Sequence, residues 1–174
     1  IIYVNKHHIN ANNLNSGAKE FPIKDLQKAI DICKNVPSKI IIAPGHYRSY
    51  IDIHTNELLI LEAEQTGSVY ITGSDVFSDW EKQKVGYWHE WPYKWGLYED
   101  SVACFGDCNL TDYQKRREMI FVDGNPLHQV LAHDKLAEGT FYVDEDMGKI
   151  HILLDDDDTP EKYRIEVATR GYDI

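Results

Sequence analysis

No run of eighteen apolar residues occurs anywhere in this 174-residue sequence. No stretch therefore reads as a membrane-crossing helix, and no membrane partner is expected. Clustered cations are as scarce. Lys115-Arg116-Arg117 is the only basic triplet, set against a formal net charge of −11. A nucleic acid needs grouped Lys and Arg to neutralise its phosphates, so it is excluded as a partner. Polyanionic chains in general are disfavoured for the same reason.

Cysteine is sparse too. There are three, and Cys33 falls on the apolar stripe of an expected helix, where a buried thiol is the natural reading. Cys104 and Cys108, in ACFGDC, fit either a short-loop disulfide or two free thiols. No second pair and no suitably spaced His completes a zinc set around them. The His7-His8 pair lacks a third ligand at useful spacing. The four consecutive carboxylates Asp155 to Asp158 lack the alternation and the glycine of a calcium loop, and read as a solvated acidic turn. No metal or cofactor is expected.

What the sequence does hold is strand signal. IIYVNK alternates, and an Asn-rich turn region follows it. In FPIKDLQKAIDICKNVP, Pro22 suits a first helical turn, and Ile23, Leu26, Ile30 and Cys33 share one face. The spacing predicts an amphipathic helix of about three and a half turns ending at Pro37. Short β-type runs come next, KIIIAPG, YIDIH, LLILEAE and SVYITGS, with no helical segment between them. That pattern suits a sandwich or a β-solenoid and excludes a βαβ sheet. From residue 117 the rhythm resumes with IFV and LHQVL around the turn signal DGNP, then GTFYVDE, KIHILLD and YRIEVATR. A small antiparallel meander of about five strands is expected there.

Between these lies the most unusual segment, YWHEWPYKWGLYED at 87–100. With Trp80 upstream it holds every Trp of the chain. No strand or helix period fits it, so it reads as an aromatic loop. Indole and phenol rings stack on the C–H faces of sugars while their polar edges reach hydroxyls. Trp88, Trp91, Tyr93 and Trp95 are therefore candidate glycan contacts, with His89 and Glu90 placed to orient a hydroxyl. The competing reading makes these rings a mini-core. A neutral glycan suits the acidic chain, because stacking rather than charge would carry the contact.

The first 75 residues, through YVNK, NSGAKEFPIKDLQKAIDIC, KIIIAPGHYR and VYITGSDVFSDW, resemble the N-terminus of secreted right-handed parallel β-helix proteins of the pectate-lyase-like superfamily. The later RREMIFVDGNPLHQV, GTFYVDEDMGKIHILL and IEVATR resemble a β-subdomain inserted in some carbohydrate-active members, β-xylosidase-like glycoside hydrolases among them. The resemblance implies a mainly β fold. A cap helix and first coil would occupy residues 1–78, the aromatic insertion 79–116, and the antiparallel subdomain 117–170. It also implies a secreted or cell-surface bacterial protein acting on a glycan. Further coils, in this or a second polypeptide, would carry the catalytic carboxylates. Glycoside hydrolysis needs two carboxylates about 5–9 Å apart. Glu90, Glu99, Asp100 and Asp107 are near the aromatic segment in sequence, which assigns none of them a role. The alternatives are a non-catalytic glycan-binding or structural module and a polysaccharide lyase. The net charge of −11 speaks against the lyase.

Overall fold

The computed structural model describes residues 1–97, 110–155 and 158–170. Among the described residues it is mainly β, with two short α-helices, and the chain divides into a unit spanning Ile1–Gly73 and a unit spanning Ser74–Ile174. Cys104, Cys108, Glu99, Asp100, Asp107 and part of the Asp155–Asp158 run lie outside the described residues.

In the first unit, strands β1 (Ile2–Val4), β2 (Ser38–Ile42) and β4 (Leu59–Ala63) form a parallel sheet in the order β1-β2-β4. Ile2 stands beside Ile40, and Ile40 beside Leu61. Strands β3 (Gly45–Arg48) and β5 (Val69–Thr72) pair in parallel, Tyr47 beside Ile71. The consecutive pair β2–β3 thus stacks in register on the consecutive pair β4–β5. Ile40, Ile42 and Tyr47 turn inward onto Val4, Ile23, Leu26, Ala29 and Ile30 in one apolar core. Among the described residues, β4 and β5 are each paired along one edge, and Ile60, Tyr70 and Ile71 are exposed.

Two expectations for this unit need correction. The helix α1 covers only Leu26–Ile32. Asp25 caps it, its carboxylate accepting from the Lys28 N–H at 2.9 Å. Ile23 is already engaged as extended chain, donating to Tyr3 O and accepting from Asn5 N–H, both at 3.0 Å. The predicted strand YIDIH is not a strand either. The Gln27 side chain donates to Asp52 O at 2.9 Å and accepts from Asp52 N–H at 2.7 Å, taking the place of a neighbouring strand. Cys33 caps the helix and is buried as a free thiol, as its position on the stripe predicts.

The second unit pairs two sheets across one core. The first has the order β10-β9-β14-β6 and is antiparallel throughout, from β6 (Ser74–Val76), β9 (Ile120–Val122), β10 (Asn125–Pro126) and β14 (Ile165–Ala168). The second has the order β11-β12-β13-β8-β7, from β7 (Glu81–Lys82), β8 (Tyr87–Glu90), β11 (His128–Val130), β12 (Thr140–Asp144) and β13 (Lys149–Leu153). The turn at DGNP forms as predicted. Asp123 and Gly124 both have positive φ, 48° and 82°, as a two-residue primed hairpin turn requires. Ile120, Ile165 and Val167 from one sheet and Phe141, Val143, Ile150 and Ile152 from the other meet in a single cluster with Trp80, Trp91 and Leu154. A helix α2 (Asp112–Lys115) precedes β9.

The expected all-antiparallel meander differs in two respects. Strands β11 and β12 pair in parallel. The stretch read as loop supplies β7 and β8. Its strand character was masked because aromatic and polar residues occupy both faces, so no apolar-polar alternation marks it.

The β7–β8 connection depends on Gly86. Its φ is +76°, and a Cβ there would lie 2.2 Å from the Ile152 carbonyl oxygen, a backbone atom that cannot swing aside. Gly86→Ala should destabilise the second unit by about 1–3 kcal/mol. Gly139→Ala also has positive φ, +73°, but meets nothing within 4 Å. It should cost only the backbone strain of about 1 kcal/mol. Urea midpoints of the two variants check the difference.

Candidate functional site

Strand β8 divides the aromatic segment between two faces of its sheet. Pairing with β13 sets Tyr87 opposite Ile152, Trp88 opposite His151, His89 opposite Ile150 and Glu90 opposite Lys149. Successive side chains point to opposite faces, and Ile150 and Ile152 are fully buried in the core. Tyr87 and His89 therefore share the core side, and Trp88 and Glu90 share the outer side.

On the core side, the His89 ring lies 4.4 Å from Phe77 and 5.4 Å from Trp80, centroid to centroid. Its Nδ1 is 2.8 Å from the Glu90 carbonyl oxygen. A carbonyl only accepts, so the proton sits on Nδ1. Trp91 is 1% exposed. Its backbone N–H donates to Gly148 O at 2.8 Å, and its ring meets Tyr93 and Trp95 edge-on at 4.7 and 5.1 Å. Tyr93 and Trp95 are partly buried against the same core. The Arg117 guanidinium stands 5.9 Å from the centre of the Trp95 ring. Glu145 accepts from the Gly96 N–H at 2.8 Å and pairs with Arg116 at 3.7 Å.

The outer side gathers residues around Trp88 and Glu90 that the sequence pattern had not singled out. Register places Glu81 on β7, Trp88 on β8, His151 on β13, Tyr142 on β12 and Val130 on β11 in one row across the sheet. The Lys149 ammonium sits 3.7 Å from the centre of the Trp88 ring. His151, 6% exposed, is buried although it faces away from the apolar core. Tyr142 stacks on it with centroids 5.8 Å apart, and His133 meets it edge-on at 4.9 Å.

The Gln83 side-chain nitrogen lies 3.0 Å from His151 Nδ1 and 2.8 Å from the Val85 carbonyl oxygen. That carbonyl needs a donor, which fixes the amide orientation. The same NH₂ then donates to Nδ1, leaving the imidazole proton on Nε2. Burial, and after it the neighbouring His133, holds the His151 pKa below its ordinary value. Burial, then Asp144, raises that of Tyr142. A phenol, an indole face and an ammonium on one sheet face can together recognise a polyhydroxyl ligand.

Of the six residues singled out in the sequence, Trp91, Tyr93 and Trp95 cluster together, and His89 lies on the core side of the same sheet. Trp88 and Glu90 stand on the outer face, where Trp88 is half-buried and Glu90 exposed. His133, Tyr142, Lys149 and His151 were missed. The one signal for His151 was its place between Ile150 and Ile152 in an alternating strand.

No family model matches the sequence, and no curated protein matches it. Two solved structures share the fold. One, described as the complex structure of XylC with xylose, superposes over 97% of this chain with a TM-score of 0.77 and 18% identity. The other, described as a glycoside hydrolase, superposes over 95% with a TM-score of 0.55 and 10% identity. This chain spans 31% of the length of the first and 45% of the second.

Proposed function

We propose that this chain is the N-terminal portion of a secreted bacterial glycoside hydrolase of the right-handed parallel β-helix type, acting on a neutral or weakly charged glycan. The stacked pairs β2–β3 and β4–β5 are its first coils, α1 caps them, and the second unit is the inserted β-subdomain. Further coils continue from the open edges of β4 and β5 and carry the catalytic carboxylates. The observation that carries this reading is the fit of 97% of the chain onto under a third of a protein whose structure is described as holding xylose. Exposed Ile60, Tyr70 and Ile71 on the last coil support it, since solenoid coils bury such residues against the next repeat.

Within this chain the sugar contact falls to the outer face of the five-stranded sheet. Trp91 offers no ring face there, being enclosed in the core. Trp88 supplies the stacking surface, and Lys149, Glu90 and Tyr142 supply polar partners. Calorimetric titration with xylo-oligosaccharides and with polygalacturonate tests the reading. The expected result is binding of the neutral oligosaccharide, weakened about tenfold by Trp88→Ala, the equivalent of one aromatic stacking contact. Preference for the uronate would favour a lyase instead. Absence of binding to any glycan would remove the contact from this face.

A further inference from the structure

The burial of His151 on the outer face has a consequence beyond sugar contact. Two surface turns each contact this one imidazole. The Gln83–Gly86 turn joins β7 to β8, closed by Gln83 N–H donating to Gly86 O at 3.1 Å, and its Gln83 amide donates to His151 Nδ1. The second is the 3₁₀ turn His133–Lys135, whose His133 ring stands on His151 at 4.9 Å and on Tyr142 at 6.1 Å. We propose that His151 and His133 form a pH-sensitive latch, which ties both turns to the five-stranded sheet when neutral and releases them when His151 is protonated.

The chemistry follows from the donor count. The proton that His151 gains must go to Nδ1, because Nε2 already carries one. Nδ1–H then faces the Gln83 NH₂, donor against donor. Turning the amide over would relieve that clash but would set Gln83 Oε1 against the Val85 carbonyl oxygen, where the NH₂ now donates at 2.8 Å. One of the two Gln83 bonds is lost in either arrangement, that to His151 with the amide as it stands and that to Val85 O with the amide turned over.

The surroundings add to this. On the same face stand Glu81 of β7, Glu90 of β8, Tyr142 and Asp144 of β12, Lys149 of β13 and His133 of the turn. Arg116 acts on the neighbouring Tyr142. Asp134 and Lys135 on the turn are exposed and lie 3.8 Å from each other. Asp144 favours the imidazolium, while burial, His133 and Lys149 oppose it and outweigh it.

The linkage has a definite sign. The unfolded chain takes up the imidazole proton in the ordinary range and the folded chain only below it. Between the two, the unfolded state binds more protons, so stability falls as the pH drops through that window and is complete above it. The latch therefore opens on the acid side. It rests on the sugar reading only for what it controls, the geometry around Trp88.

Histidine-ring and amide spectra of the sugar-free chain, followed from about pH 8 to about pH 5, test it directly. The His151 ring should titrate below the ordinary imidazole midpoint, and the amides of residues 83–86 and 133–135 should shift with that same midpoint. Gln83→Leu should move the midpoint upward, because the lost donor stabilised the neutral ring. His151→Phe should leave both turns unresponsive. Should His151→Phe fail to fold, the surface variant Gln83→Leu and the wild-type titration still decide. A His151 ring that titrates at the ordinary position, or turn amides that stay still through its midpoint, would overturn the latch. Neither result depends on whether any sugar binds.

Discussion

Trp91→Ala should destabilise the second unit by about 3–5 kcal/mol, the range for removing a fully buried aromatic ring. Trp91 is 1% exposed and enclosed by Tyr93, Trp95 and the apolar faces of both sheets. Two factors keep the cavity from closing. The backbone of Trp91 is pinned by its bond to Gly148, and Tyr93 and Trp95 each lean edge-on against the ring that is lost. Trp91→Phe should cost less, because the indole Nε1 makes no hydrogen bond among the described residues and no partner is stranded. Trp88→Ala is the informative contrast. Its ring lies on the outer face under the Lys149 ammonium, an arrangement worth about 0.5–1 kcal/mol. Urea unfolding followed by far-ultraviolet circular dichroism compares the three. A loss for Trp88→Ala equal to that for Trp91→Ala would contradict the assignment of faces.

The second large effect is expected at Arg116. The Glu118 carboxylate is wholly buried and is held by the Arg116 guanidinium at 3.3 Å, the Arg117 backbone N–H at 3.2 Å and the Gln129 amide at 3.0 Å. Arg116→Met removes a guanidinium held against it and leaves a charge out of water with fewer donors. Breaking a buried pair from one side costs about 3–5 kcal/mol. The pair as a whole is worth far less than that, because both charges were desolvated to make it. Arg116→Met combined with Glu118→Gln should therefore recover much of the loss, a positive coupling measurable in a double-mutant cycle. Simple additivity of the two substitutions would show that they do not act as a pair. Arg116 also lies 3.7 Å from Glu145, which holds the Gly96 N–H. Its loss should loosen the hold of Glu145 on Gly96 as well.

These predictions fall in places that the sequence reveals unequally. Local signals are legible where one residue type decides the backbone. Asp123-Gly124 announces its hairpin, and IIIAPG announces a strand followed by a turn. The stripe through Leu26, Ile30 and Cys33 marks a helix with one buried side. Where a side chain replaces a backbone partner, the signal misleads. YIDIH has the composition of a strand, yet Gln27 from the helix occupies the position a neighbouring strand would fill. The aromatic segment shows the opposite failure. Tyr87 to Glu90 is a strand whose two faces both carry rings and polar groups, so period-two alternation has no contrast to display.

The candidate site was half visible for a related reason. Trp88 drew attention as one of four Trp residues close together in sequence. His151 and Tyr142 reach it only through the register of β8 on β13 and of β13 on β12. That register is set by distant pairing and by which face is buried. A slip of one residue would send every one of these side chains to the other face. Nothing local in KIHIL or TFYVD states which strand lies alongside, so the row across the sheet could not be read before the pairing was known.

The most direct test of the account maps a sugar onto this chain. Backbone amide spectra, titrated with a short xylo-oligosaccharide near neutral pH, report which residues respond. Shifts are expected on the outer face at Trp88, Glu90, Tyr142 and Lys149, with the amides around Trp91 unmoved. Shifts confined to other surfaces, or none at all, would contradict a sugar contact on this face.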